Sequence, residues 1–285
     1  MKFRGKQLPL DRSIVMAIVN RTPDSFYDRG RTYTLHTALE RVDQVVDEGA
    51  DIVDIGGVKA APGDEVSTDE EVRRVVELVE AVRARYPQLV ISVDTYRSEV
   101  ADAVCRAGAD LVNDAWQASD PRTAEVAARH GAGLVCTHAG HLPPQTRPHR
   151  AEYKDVLGDV VDVLVTLADR AVAVGVEKES VLIDPGHDFG KNTRHSLALT
   201  AGLAGLVDTG WPVLVALSRK DFVGEVLDLP PSDRLEGTLA ATAVSAWLGA
   251  RVFRAHDVAA TARALRVVDA LQGRRPLAVA RRGLA

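Results

Sequence analysis

The sequence predicts an α/β fold, a TIM (β/α)8 barrel forming a single domain over residues 1–285, and three observations predict it. Eight short apolar runs alternate with eight segments of helical periodicity, most runs end directly in a polar residue or pair, and 285 residues suit one barrel of this kind. An open doubly wound sheet is the structural alternative, but no Gly-rich dinucleotide fingerprint follows the first run.

In order, the first run, 13–19, ends at Asn20 and precedes a helix over 34–48. The second, 51–55, carries Asp54 and leads to a helix over 69–85. Run 89–93 ends at Asp94-Thr95 before helix 97–107, and run 110–112 ends at Asn113-Asp114 before helix 122–130. Run 133–136 precedes helix 153–174, and run 181–183 ends at Asp184-Pro185-Gly186 before helix 195–207. Run 213–217 ends at Ser218-Arg219-Lys220 before helix 234–248. Finally, run 251–253 ends at Arg254-Ala255-His256-Asp257 before helix 258–271. The runs are rich in Val, Ile and Leu, as strands buried on both faces require. In a barrel the polar residues at their ends meet at one mouth.

Composition excludes several function classes. The chain is 46% hydrophobic and 26% charged, as in soluble proteins with a sizeable core. A formal charge of -5 gives no basic field for nucleic acid. No apolar stretch approaches the ~20 residues needed to cross a bilayer, and no apolar signal core opens the chain, so a cytoplasmic, membrane-free protein is expected. Cys105 falls in a predicted helix and Cys136 at a strand end, which fits reduced thiols. Long loops follow the first two strands, at 21–33 and 58–68. The loop 139–150 holds His141, His149 and three prolines, but without Cys or carboxylate ligands at suitable spacing it reads as a solvated loop, not a metal site.

The strand ends resemble dihydropteroate synthase, the folate-pathway transferase, over nearly the whole chain. The matching blocks are Met16-Ala17-Ile18-Val19-Asn20 with Thr22-Pro23-Asp24-Ser25-Phe26, then Asp54-Ile55-Gly56-Gly57, Ser92-Val93-Asp94-Thr95, Asn113-Asp114, Asp184-Pro185-Gly186 with Phe189-Gly190-Lys191, Ser218-Arg219-Lys220 and Arg254-Ala255-His256-Asp257. That family condenses a dihydropterin-methyl pyrophosphate with p-aminobenzoate. The resemblance implies a pterin pocket of Asp94, Asn113, Asp184, Phe189 and Lys220, and a pyrophosphate group of Asn20, Arg254 and His256, with Asn20 also near a magnesium ion (Mg2+). It implies catalytic roles for Asp94, Lys220, Arg254 and His256, and a homodimer. Asp54 corresponds to a family carboxylate that orients the first two loops. The chemistry agrees: a pterin has a guanidine-like donor edge for a carboxylate and a carbonyl for an ammonium. Helix capping by strand-end Asp residues, a salt bridge for Arg254 and rim packing for His256 are the structural alternatives. The Ala-rich segment 239–250 suits either a dimer face or a buried helix.

The departures from the family pattern gather around the second substrate. Where the family reads Gly-Gly-Glu-Ser-Thr-Arg-Pro-Gly, this chain has Gly56-Gly57-Val58-Lys59-Ala60-Ala61-Pro62-Gly63, so Ala60 and Ala61 supply neither hydroxyl nor guanidinium. Asp221 replaces a serine near the p-aminobenzoate carboxylate, and like charges at ~4 Å repel by ~1 kcal/mol in water and more in a drier site. Its structural alternatives are capping the next helix or pairing with Arg219. His187, Asp188 and Ala216 stand at positions that are smaller or apolar in the family, and are expected to obstruct close ligand approach. Ala139, after His138, stands where the family has methionine, while Arg21, Tyr27 and Arg29 enlarge the first loop, with Arg21 or Arg29 as alternative phosphate contacts. The expectation is a divergent paralogue that keeps a pterin and is weak or inactive as a synthase. An active synthase with remodelled loops and a pterin-binding methyl-transfer domain are the alternatives.

Overall fold

The computed structural model describes residues 1–9, 11–22, 34–59, 65–140, 142–146 and 152–283. An amino-terminal hairpin, β1 (Lys2–Phe3) and β2 (Lys6–Gln7), precedes eight parallel strands: β3 (Ile14–Asn20), β4 (Ile52–Gly56), β5 (Val90–Asp94), β6 (Leu111–Asp114), β7 (Gly133–Thr137), β8 (Val181–Asp184), β9 (Leu214–Ala216) and β10 (Val252–Ala255). Their order is β8-β7-β6-β5-β4-β3-β10-β9. A parallel bridge between Ile183 and Val213, with the Ile183 N–H donating to Pro212 O, links the two outer strands and brings the sheet round into a barrel. All eight predicted strands are present.

The helices are α1 (Leu35–Asp47), α2 (Thr68–Arg85), α3 (Ser98–Ala107), α4 (Arg122–His130), α5 (Val156–Ala173), α6 (Thr193–Ala201), α7 (Leu203–Val207), α8 (Asp221–Leu227), α9 (Leu235–Trp247) and α10 (Val258–Leu271). Three boundaries differ from expectation for identifiable reasons. Helix α5 begins after residue 153 because the Asp155 carboxylate accepts the N–H groups of Leu157 and Gly158 and caps it. The helix expected over 195–207 breaks at Gly202, where a Cβ would come within 2.8 Å of Leu157 in α5; a bare backbone there lets the two elements approach. The short α8, which starts at Asp221, is additional to the eight periodic segments.

The hairpin is invisible to periodicity because its strands are two residues long. Arg4 (φ 45°) and Gly5 (φ 83°) form its left-handed turn. It seats Phe3, fully buried, among Ile14, Met16, Ile52, Val90, Leu111 and other inward residues, so that it stoppers the end of the barrel opposite the mouth. Gly133 makes room, since a Cβ there would lie 2.5 Å from the Phe3 ring. The larger apolar core lies between the barrel's outer face and the helices.

Candidate functional site

The period-2 alternation of the strands builds the site. Ile52, Val90, Leu111, Val135, Leu182 and Val252 face the barrel axis in its apolar floor. Two residues further along the same strands come Asp54, Ser92, Asn113, Thr137, Asp184 and Arg254, so the inward face turns from apolar to polar within one step. Another two residues along bring Asp94 on β5 and, on β3, Asn20 to the mouth.

Asp54 is the hub of this layer. Its carboxylate is completely buried and accepts from Ser92 Oγ (2.6 Å), Asn113 Nδ2 (3.1 Å) and Arg254 Nε (2.6 Å), while Arg254 Nη2 donates to Asp94 (2.9 Å). One guanidinium thus holds two carboxylates. Burial pushes the Asp94 carboxyl up to about 7 against the opposing pull of Arg254, with Asp54 adding to the rise. The salt bridge considered for Arg254 is therefore present, at the mouth itself.

Across the mouth, Asp184 Oδ1 accepts the N–H of Gly186 (2.8 Å), whereas its Oδ2 takes no hydrogen bond among the described residues. Burial raises this carboxyl and the Lys220 ammonium lowers it, so the two lie within each other's field. Lys220 Nζ donates to His187 O (2.5 Å) and sits 4.9 Å from the centroid of the Phe189 ring. Phe189 meets Trp116 edge to face at 5.1 Å, and Tyr96 and Ala139 join them in a small apolar wall. At the third side, Ser218 Oγ bonds both the backbone N–H of His256 and its Nδ1 (3.0 Å). Burial beside Arg254 pulls His256 down to about 3, so it is neutral at ordinary pH.

The structure brings Asp94, Asn113, Asp184, Lys220, Phe189, Arg254 and Asn20 to one end of the barrel, with Asn20 against Gly56, where a Cβ would fall 3.1 Å from its amide oxygen. Several expectations are corrected. Asp221 pairs with Arg234 (3.0 Å), not Arg219, because Arg219 is held in a bidentate pair with Asp257 (2.8 and 3.0 Å). Asp188, with φ 67°, bonds Ser196 Oγ and the Phe222 N–H, tying α6 to α8 instead of projecting freely. His187 is likewise turned away, buried with Nε2 on Thr200 and its ring stacked on Phe222. The Arg21 guanidinium reaches Arg74 O and Glu77 on α2, a direction unlike that expected of a phosphate ligand. Ala216 lies in the barrel interior and Ala139 in the aromatic wall, as their positions imply. Ala60, Ala61, Tyr27 and Arg29 lie outside the described residues.

Sequence reasoning quoted Ser92, Lys191 and His138 without giving them a role, and missed Trp116 and the hydrogen-bonded chain that runs from buried Lys191 through His138 to half-exposed Asp159. Ser92 carried a signal: it lies two residues before Asp94 on one strand and so shares its face. Among the described residues no group of three or more His, Cys, Asp or Glu is placed to hold a metal ion. Asn20 offers a single neutral oxygen.

Residues 16–256 match the family model described as pterin binding enzyme. The chain is 54% identical over 285 residues to inactive dihydropteroate synthase 2 of Mycobacterium tuberculosis, covering 99% of this chain and 90% of that one. It is 41% identical over 263 residues to the dihydropteroate synthase of Bacillus subtilis, covering 92% and 89%. A crystal structure of the Yersinia pestis dihydropteroate synthase with a sulfonamide drug superposes with a TM-score of 0.91 at 37% identity, covering 96% of this chain and 99% of that one.

Proposed function

The chain belongs to the pterin-binding enzyme family, and we propose that it is a dihydropteroate synthase-like protein that binds a pterin at the barrel mouth but is weak or inactive in condensing the dihydropterin pyrophosphate with p-aminobenzoate. The observation that carries this reading is the acceptor left on Asp184 Oδ2 opposite the Lys220 ammonium, beside the Phe189–Trp116 wall. A pterin lying on that wall would donate its amino-pyrimidine edge to Asp184, place ring nitrogens toward Asn113 and Asp94, and offer its carbonyl to Lys220. Lys220 would then exchange His187 O for the ligand. The relative named inactive supports the second half of the reading, as do the residue types Ala60, Ala61 and Asp221 at positions that the family resemblance assigns to the second substrate. Names among the relatives favour the synthase branch over a methyl-transfer domain.

On this reading Arg254, His256 and Asn20 would receive the pyrophosphate. Arg254 commits two of its five N–H donors to Asp54 and Asp94, which leaves three for an anion. Mg2+ would find one protein ligand in Asn20 and draw the rest of its shell from the pyrophosphate and water, a common arrangement for this ion. When bound it would offset the leaving group's charge. Outside the mouth, Val244 and Trp247 of α9 and Val267 and Leu271 of α10 are 49%, 58%, 61% and 70% exposed on neighbouring helices. We assign this apolar face to a second copy of the chain; Trp247→Glu should halve the sedimenting mass, and an unchanged mass would sink the assignment. No described helix is long and apolar enough to cross a membrane, and two free buried cysteines fit the expected cytoplasmic setting.

The test is a pair of measurements on the purified protein. Titration with 6-hydroxymethylpterin should show saturable binding that a chelator leaves unchanged, because no metal ligand belongs to the ring set. A magnesium-containing condensation assay should show little turnover. Absent pterin binding would remove the first claim; turnover matching that of ordinary synthases would favour an active enzyme with remodelled loops.

A further inference from the structure

Behind the pterin wall lies a chain of groups with no role in the reading above. Lys191, 6% exposed, directs its ammonium into a cage of four acceptors: His138 Nδ1 (2.8 Å), Phe189 O (2.9 Å), Gly186 O (3.1 Å) and His138 O (3.2 Å). His138 Nδ1 also receives the Gly140 N–H (3.3 Å), so it is an acceptor and the ring proton sits on Nε2, which donates to Asp159 Oδ2 (2.9 Å). His138 is fully buried; Asp159, on α5, is 39% exposed. The loop 186–190 is pressed hard against the end of β7. Gly186 (φ 63°) and Gly190 (φ 62°) are so close that a Cβ would lie 2.0 Å from His138 O and 2.6 Å from Ala139 O. Tyr153 donates to Gly190 O (2.9 Å) at the far end.

That loop carries the ligand-facing parts. Gly186 orients Asp184, His187 O holds Lys220, and Phe189 forms the wall. A protonated Lys191 has three N–H donors for its four acceptors, whereas a neutral amine has two and leaves carbonyls of the loop unpaired in a buried site. We propose that Lys191 is a positioning residue for the pterin-binding loop, and that its proton, exchanged with solvent through His138 and Asp159, governs how tightly the protein holds a pterin. On deprotonation Lys191 Nζ passes a proton to His138 Nδ1, the ring releases its Nε2 proton to Asp159, and Asp159 gives it to water; protonation runs the chain backwards. The inference rests on the pterin-binding reading.

The surroundings put this equilibrium in a useful range. Burial and Lys220 pull the Lys191 ammonium down to about 7, while Asp184, Asp159 and Asp188 hold it up. Also facing it are His187 and His195, both lowered chiefly by burial and further by Lys191, and the Tyr153 hydroxyl. Pterin affinity should therefore fall as pH rises through neutrality. Asp94 titrates near the same pH, so the wild-type profile alone does not decide the matter. Asp159 does, because it bonds His138 and its charge acts on Lys191, whereas it is not among the groups that shift Asp94.

The experiment is a titration of 6-hydroxymethylpterin into the wild type, Lys191→Met and Asp159→Asn at half-unit steps from pH 6 to 9, with urea unfolding to confirm that each variant is folded. Lys191→Met should lose about tenfold in affinity at pH 6 and show a flatter profile. Asp159→Asn keeps an oxygen that can accept from His138 but removes the charge that favours the ammonium, and should move the midpoint to lower pH. Wild-type affinity and profile in Lys191→Met, or an unmoved midpoint in a folded Asp159→Asn, overturns the proposal and leaves pterin binding standing. A wild type that binds no pterin overturns both.

Discussion

Arg254 shows how a single residue at this mouth would serve both stability and the proposed binding. Its guanidinium is the main counter-charge for Asp54, a carboxylate with no exposure, and it restrains Asp94 as well. Among the described residues, replacing it by methionine would leave Asp54 with only Ser92 and Asn113 as donors and Asp94 as a nearby like charge. Removing one partner of a buried pair costs about 3 to 5 kcal/mol, so Arg254→Met should lose that much in urea unfolding; an unchanged midpoint would mean the pair is dispensable. Any loss of pyrophosphate affinity in this variant has to be measured on the fraction that is folded. Asp184→Asn is a cleaner probe of recognition. It need not disturb Gly186, because the amide oxygen can take over the Gly186 N–H, but it turns the ligand-facing acceptor into a donor. A charge-assisted hydrogen bond contributes about 1.5 to 3 kcal/mol, so pterin affinity should fall by one to two powers of ten. Equal affinity in the two proteins would place the ring elsewhere.

At the scale of elements, α8 and its approach bear on the proposed loss of the second substrate. Asp221 opens α8 and is bound by Arg234, which also donates to Leu229 O and Arg219 O. Substituting serine there removes a carboxylate and returns one guanidinium donor of Arg234 to the site. Combined with Ala60→Thr and Ala61→Arg, it should raise condensation above the background of the parent in a magnesium-containing assay; no gain would shift the cause to the first loop or to Ala216. This part of the site was only half legible in the sequence. Strands and mouth residues were legible because burial on both faces forces apolar runs, and the first polar inward position of each run marks the mouth. Asp54, Asn113, Asp184 and Arg254 emerge that way. What the residues bind was not legible, since Asp221 meets Arg234 and Arg219 meets Asp257 only once the loops have folded. Asp188 misled for a related reason: the identity of the residue was plain, but its left-handed backbone turns the carboxylate onto Ser196. Nor could Lys191, His138 and Asp159 be joined, for they sit on different elements and meet only through the packing of β7, α5 and the 186–190 loop.

For the whole molecule, the polar groups taken into the barrel make stability depend on pH. His187 is fully buried, with Nε2 on Thr200 and no partner for Nδ1 among the described residues, and burial followed by Lys220 and Lys191 holds it well below the ordinary histidine value. It stays neutral when folded. Below the unfolded value of ~6.5 the unfolded chain takes up a proton that the native state does not, so stability falls as pH drops, by up to about 1.4 kcal/mol per unit for one such group. His256, lowered to about 3, acts in the same direction. Asp114 and Asp94, raised to about 6 and about 7, act oppositely: they favour the native state below ~4 and lose that contribution as pH rises through those values. The net slope mixes these four with other shifted groups, Lys191 and Asp184 among them, but substitution isolates one. His187→Ile keeps apolar contact with Phe222, and Thr200 retains its hydrogen bond to Ser196 O. Relative to the wild type it should gain about 2 kcal/mol more at pH 5 than at pH 8, from 1.5 units of suppressed protonation. Urea unfolding at the two pH values reads that difference directly. A stability change independent of pH would mean that His187 can take up its proton within the folded barrel.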